Sequence, residues 1–235
     1  MFTSDPTEMR ARPNPTSLRS KLFNLYVSPG EVFDEVVASP RAAAHWRLPA
    51  LLNGLFGLLL FFLVADPVPA LEGPRGAAPI PVSSGAVFNP AASPGLELIG
   101  PAAVLGVSFA GIFWSAAVLW ISGRLFLRSH FSFVKASEIA GLTTMILALG
   151  TITTALLVLA TDNRMARPDL TFLAGAADPA GRLHQTLAVA NVFHIWMAGL
   201  LSMGLAKLSG VSTREAAMWV FGYWIVCRQA LIWLS

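Results

Sequence analysis

Five long apolar runs separated by short polar stretches dominate the chain, over residues 48–65, 98–123, 139–160, 187–206 and 216–234. A hydrocarbon layer ~30 Å thick takes about 20 helical residues to cross, and each run is near or above that length. Backbone N–H and C=O groups find no water inside lipid, so runs of this kind must close their hydrogen bonds within a helix. The pattern therefore predicts an all-α, polytopic transmembrane helical bundle of five spans.

Ahead of the first run, residues 17–39 are amphipathic. Ser28-Pro29-Gly30-Glu31 reads as a capping box, with Ser at the N-cap, Pro at the first helical position and Glu three residues on. Val32, Phe33, Val36 and Val37 then share one helical face, while Glu31, Asp34 and Glu35 fall elsewhere. Leu18, Leu22, Phe23 and Tyr26, mixed with Arg19 and Lys21, suit an N-terminal interfacial helix. Two uses fit this region: a cap packed on the bundle or resting on headgroups, or a docking surface for a soluble partner. The division expected is a disordered N-terminus (1–16), amphipathic and capping helices (17–46) and a five-helix membrane domain (47–235). Residues 66–96 form a Pro-rich outer loop, with Pro67, Pro69, Pro74, Pro79, Pro81, Pro90 and Pro94 favouring irregular backbone. Residues 161–186 are expected to hold at most a short helix. The hairpin between the last two runs is specified most closely. Gly210 suits a left-handed C-terminal cap, and Ser212-Thr213-Arg214-Glu215 reads as a second capping box.

Composition agrees with the pattern and adds an orientation. Hydrophobic residues make up 55% of the 235 positions and charged residues 12%, about half the ~25% of a soluble domain. Lys and Arg mark the side that is not translocated. Arg10, Arg12, Arg19, Lys21, Arg41 and Arg47 precede the first run; Arg124, Arg128 and Lys135 follow the second; Lys207 and Arg214 follow the fourth. The other side has Arg75, Arg164, Arg167 and Arg182. The bias predicts a cytoplasmic N-terminus and a C-terminus outside, as in a bacterial inner-membrane protein. No cleavable signal is expected, because residues 1–20 lack a 7–15-residue apolar core.

Little of the chain is suited to chemistry. Arg228 lies ~18 Å into the last run, where a cation costs about 2.5–3.5 kcal/mol unless paired or snorkelling. His194 falls at a similar distance from the hairpin turn, with Asn191 and Gln229 at neighbouring levels and Glu97 and Asp66 as possible counter-ions. Arg228, His194, Asn191 and Glu97 are thus a candidate ion-pair cluster or lipid or ligand site. The plainer reading is a snorkelling Arg beside a neutral, hydrogen-bonded His. Asn191, His194, Ala198 and Ser202 also read as a close-packing helix face, as do Asn53, Gly106 with Ala110, and Gly150 with Thr154. No Walker loop, dinucleotide fingerprint, His-Glu-x-x-His or Gly-x-Ser-x-Gly occurs, so no enzymatic activity and no cofactor is expected. His45, His130, His184 and His194 stand on different segments and Cys227 is the lone cysteine, which argues against a metal site. The basic residues are dispersed, which argues against nucleic acid. Expected partners are membrane lipids, other membrane subunits or a second copy.

From Asn191 to Lys207 the chain reads Asn-Val-Phe-His-Ile-Trp-Met-Ala-Gly-Leu-Leu-Ser-Met-Gly-Leu-Ala-Lys, and from Leu208 to Trp219 it continues Leu-Ser-Gly-Val-Ser-Thr-Arg-Glu-Ala-Ala-Met-Trp. Together with Ser28-Pro29-Gly30-Glu31-Val32-Phe33 and His45-Trp46-Arg47-Leu48-Pro49, this resembles bacterial members of the Ypt-interacting protein (YIP) family. The resemblance covers residues 28–234. It implies five spans, a cytoplasmic N-terminus and a non-enzymatic membrane protein, and it supplies no catalytic or binding residues. The Asp-Leu-Tyr-Gly-Pro type motif of the family's eukaryotic branch is absent, so that branch's role with small GTPases and Golgi membranes is not carried over.

Overall fold

The computed structural model describes residues 17–64, 96–163, 166–174, 185–187 and 190–234. Among the described residues it contains helices and turns and no strand. The helices are α1 (Leu18–Val27), α2 (Pro29–Ala38), α3 (Ala44–Val64), α4 (Leu96–Leu125), α5 (Phe133–Thr161), α6 (Val192–Ser209) and α7 (Thr213–Leu234), with a 3₁₀ turn at Leu170–Ala174. The expected disordered N-terminus (1–16) and most of the Pro-rich loop (66–96) lie outside the described residues.

Four helices are long and apolar enough to cross a membrane: Ala44–Val64, Gly100–Leu125, Phe133–Thr161 and Val192–Ser209. α7 has the length, at 22 residues, but it is more polar than the other four, carrying Arg214, Glu215, Arg228 and Gln229. On α3, Leu48, Leu51, Leu55, Leu59 and Phe62 recur every three or four residues and are all exposed. An apolar stripe of this kind, opposite the face packed on α4 and α5, fits lipid rather than water as its surroundings.

α5 is the axis of the bundle. Its fully buried Ile139, Leu142 and Ile146 pack in one core with Leu25, Phe33, Ile112, Leu119 and Leu205 from four other helices. Glycine sets two of its contacts. A Cβ on Gly141 would run into the Trp46 backbone of α3, and one on Gly150 would meet the Phe193 ring of α6 at 2.8 Å. Gly150 is thus the close-packing position expected. Gly106 and Ala110 are not: both are exposed, and nothing lies within 4 Å of where a Gly106 Cβ would be.

The N-terminal segment packs on the bundle, one of the uses expected of it: α1 and α2 form a helical hairpin against α5 and α6, with Leu18, Leu22 and Tyr26 turned inward onto the core. It departs from expectation at its cap, for the Ser28–Glu31 capping box does not form, because Ser28 makes no side-chain cap bond. Ser28 ends one helix as it starts the next. Its N–H is given to Asn24 O at 2.7 Å, and its backbone angles (φ −136°, ψ 61°) are those of the turn between them. Ser17 caps α1 by accepting from Ser20 N at 3.3 Å. At the α6–α7 turn, Gly210 takes the left-handed conformation expected (φ 70°), and Ser212 Oγ accepts from Glu215 N at 3.2 Å.

Candidate functional site

The polar side chains cluster where the hairpin, α3 and α5 begin. Glu138 sits one turn into α5 and is 0% exposed. Its Oε1 accepts the Ala42 N–H at 2.8 Å from the α2–α3 connector. Its Oε2 accepts from Lys135 Nζ at 2.9 Å and lies 3.4 Å from His45 Nδ1. Lys135 Nζ also donates to Val36 O at 2.6 Å and Ser39 O at 2.8 Å, the last carbonyls of α2, where a cation is favoured. One carboxylate and one ammonium thereby tie the end of α2, the connector and the start of α3 to α5. Lys21, 4% exposed, pairs with Glu35 at 3.2 Å across the hairpin, and Lys207 pairs with Asp34 at 2.6 Å between α6 and α2.

This clasp was not anticipated from sequence. Lys135 and Glu138 are an i,i+3 pair that can be read locally, but His45 and Ala42 are more than ninety positions away. The available signal was a lone carboxylate at the mouth of an apolar run. Among the described residues, no buried side-chain nitrogen or oxygen is left without a hydrogen-bond partner. Tyr26, on α1, donates to Met145 O at 3.0 Å, and burial pushes its phenol pKa above the ordinary value, so it stays a donor.

The residues singled out from sequence are only partly brought together. Half-buried Arg228 lies within Coulombic reach of His194, α7 against α6. Among the described residues no carboxylate pairs with Arg228. Asn191 is the N-cap of α6, and its side-chain oxygen accepts Phe193 N–H at 2.9 Å. It therefore starts the helix instead of facing a cluster within it, and the fourth apolar helix begins at Val192, not at 187. Glu97 belongs to the first turn of α4, and its side chain lies outside the described residues. Ser202 donates to Ala198 O at 2.7 Å, and both are buried, consistent with a packing face.

An open apolar groove of about 510 Å³ separates α4 from α7. Trp114 Nε1 donates to Tyr223 OH at 2.7 Å across it, and Phe126 stacks on Trp219 with ring centroids 3.8 Å apart. A second set of rings joins α3, α4 and α5: Trp46 against Phe113 at 5.2 Å, and Phe133 against Phe113 and Trp120 at 6.4 Å.

The helical bundle, its apolar exterior and its closed polar clasp are those of a membrane-embedded domain, and a family profile specifies which. The Yip1 domain matches residues 23–234, nearly the whole length. The chain belongs to the Yip1 domain family. The match begins inside α1 and runs to the last residue of α7, so the second half of α1 and all of α2 belong to the Yip1 domain along with the long helices. Comparison with curated proteins and with solved structures finds no match.

Proposed function

We propose that this Yip1-domain protein is a non-catalytic integral membrane protein that acts by contact, as an accessory subunit or organiser of a larger membrane assembly. The observation that carries the reading is the state of the Glu138 clasp. Its carboxylate is fully enclosed, with partners at each oxygen, and its residues serve to hold helices. Family membership and the exposed apolar stripe of α3 support the membrane setting. In this reading α7 is a fifth span, antiparallel to α6 across the tight Gly210 turn, with Arg214 and Glu215 exposed in its first turn and Arg228 and Gln229 half-buried. The N-terminus faces the cytoplasm of a bacterial cell and the C-terminus the outside, as the distribution of Lys and Arg favours. Purification from native membranes in mild detergent, with identification of co-migrating proteins, tests it. A stable hetero-complex is expected; a homogeneous protein carrying a tightly held solute would overturn it.

That second outcome corresponds to a small transporter or lipid-handling protein working at Arg228 and His194. Arg228 favours it by lying half-buried without a carboxylate among the described residues. If the guanidinium grips an anionic headgroup or solute, Arg228→Lys abolishes function while the fold stays intact, because an ammonium cannot reproduce the bidentate fork.

A further inference from the structure

The inward turn of Leu18, Leu22 and Tyr26 leaves the opposite face of α1 with a different composition. Phe23 is 71% exposed and Val27, one turn on, is 70% exposed. Arg19, one turn before Phe23, is exposed on the same side. Two bare apolar side chains of this size at i,i+4 form a stripe that water penalises.

Five contacts fix how far along the bundle this stripe reaches. Lys135 holds the end of α2 level with the start of α5. Asp34 meets Lys207 near the end of α6, and Gly30 faces the Met203 sulfur, a turn deeper. At the far tip, Tyr26 bonds Met145 O, twelve residues or ~18 Å past the start of α5. The Tyr26 ring packs edge-on against Trp196 with centroids 6.0 Å apart, thirteen residues or ~20 Å from the end of α6. The hairpin therefore runs down the side of the bundle, its tip reaching the level of helices that are themselves apolar. Each arm has ten residues, ~15 Å, half of a hydrocarbon layer.

We infer that α1–α2 is a lipid-contacting wedge set into one leaflet only, with Phe23 and Val27 among the acyl chains and Arg19 toward the phosphates. The occupant of this face is the bilayer itself. A groove-seated partner is disfavoured because the apolar stripe is continuous in level with the lipid-facing surface of the long helices and carries a cation at its outer end, where anionic headgroups lie. The inference rests on the membrane reading of the bundle, and its test separates the two.

Full-length protein with Cys227→Ser takes a nitroxide at Phe23→Cys, Leu59→Cys or Ser212→Cys and is reconstituted in phosphatidylcholine–phosphatidylglycerol vesicles. Leu59 is on the exposed stripe of α3, and Ser212 is in the α6–α7 turn. Collision with oxygen should exceed collision with a water-soluble nickel chelate several-fold at Leu59 and at Phe23, and the order should reverse at Ser212. Lipid exposure at Leu59 with aqueous exposure at Phe23 overturns the wedge alone. Aqueous exposure at both overturns the membrane reading beneath it. Exclusion of both reagents from Phe23 would mean that a second copy covers the face, and it also overturns the proposal. Should Phe23→Cys fail to fold, Val27→Cys reads the same stripe.

Discussion

Glu138 shows how one residue can govern a joint between segments that are far apart in sequence. Charges out of water are expensive, and removing one partner of a buried pair leaves the other uncompensated. Glu138→Ala would strand the Lys135 ammonium, the Ala42 N–H and the His45 ring at once. The expected cost is about 3–5 kcal/mol, read from denaturant unfolding of the detergent-solubilised protein. Glu138→Gln keeps an acceptor for Ala42 and Lys135 and should cost clearly less. Wild-type stability in Glu138→Ala would remove the clasp from the account. The chain itself shows Lys135 and Glu138 three residues apart, and nothing more. That His45 and the Ala42 amide complete the site depends on α3 and α5 packing in register, which no local pattern encodes. Arg228 is the reverse case. Its discomfort is plain from a charge within an apolar run, and its nearness to His194 could be counted from the turn, but the counter-ions the spacing offered, Glu97 and Asp66, lie where their side chains are not described.

The helices themselves were largely legible, because length and apolarity are local properties. Their ends and their packing faces were less so. Residues 187–190 are apolar and extend the fourth run on paper, yet Asn191 starts α6 as its N-cap by accepting the Phe193 N–H. Ser28-Pro29-Gly30-Glu31 has the letters of a capping box, yet the tight α1–α2 turn directs the Ser28 backbone to α1. The two sites should therefore respond differently. Asn191→Ala should cost about 0.5–2 kcal/mol and quicken hydrogen exchange in the first turn of α6, whereas Ser28→Ala should leave exchange in α2 unchanged. Slower or unaltered exchange at Phe193 in the Asn191 variant would contradict the cap. Small residues divide in the same way. A motif of Gly and Ala on a helix says that a neighbour could approach, not that one does. Gly141→Ala must displace the Trp46 backbone and should destabilise by about 1–3 kcal/mol. Gly106→Ala meets open space and should be neutral or stabilising, since alanine favours the helix by up to about 1 kcal/mol. Equal stabilities for the two variants would refute the α3–α5 contact described above.

At the scale of the molecule, the position of α7 decides the topology. Four helices meet the demands of a hydrocarbon layer without help, and α7 meets only its length. Arg214 and Glu215 stand exposed in its first turn, while Arg228 and Gln229 are half-buried, with Arg228 within Coulombic reach of His194 on α6. α7 leaves the Gly210 turn antiparallel to α6, and 22 helical residues carry it ~33 Å, enough to cross. An α7 that instead lay along the surface would keep its C-terminus on the side of the α4–α5 loop. Single cysteines at Ser132, Ser84 and Ser235 in a Cys227→Ser background distinguish these arrangements with a membrane-impermeant maleimide on intact cells. Five spans with the N-terminus inside predict labelling at Ser84 and Ser235 and protection at Ser132. Labelling at Ser84 with protection at Ser235 would reduce the spans to four, and labelling at Ser132 alone would invert the protein.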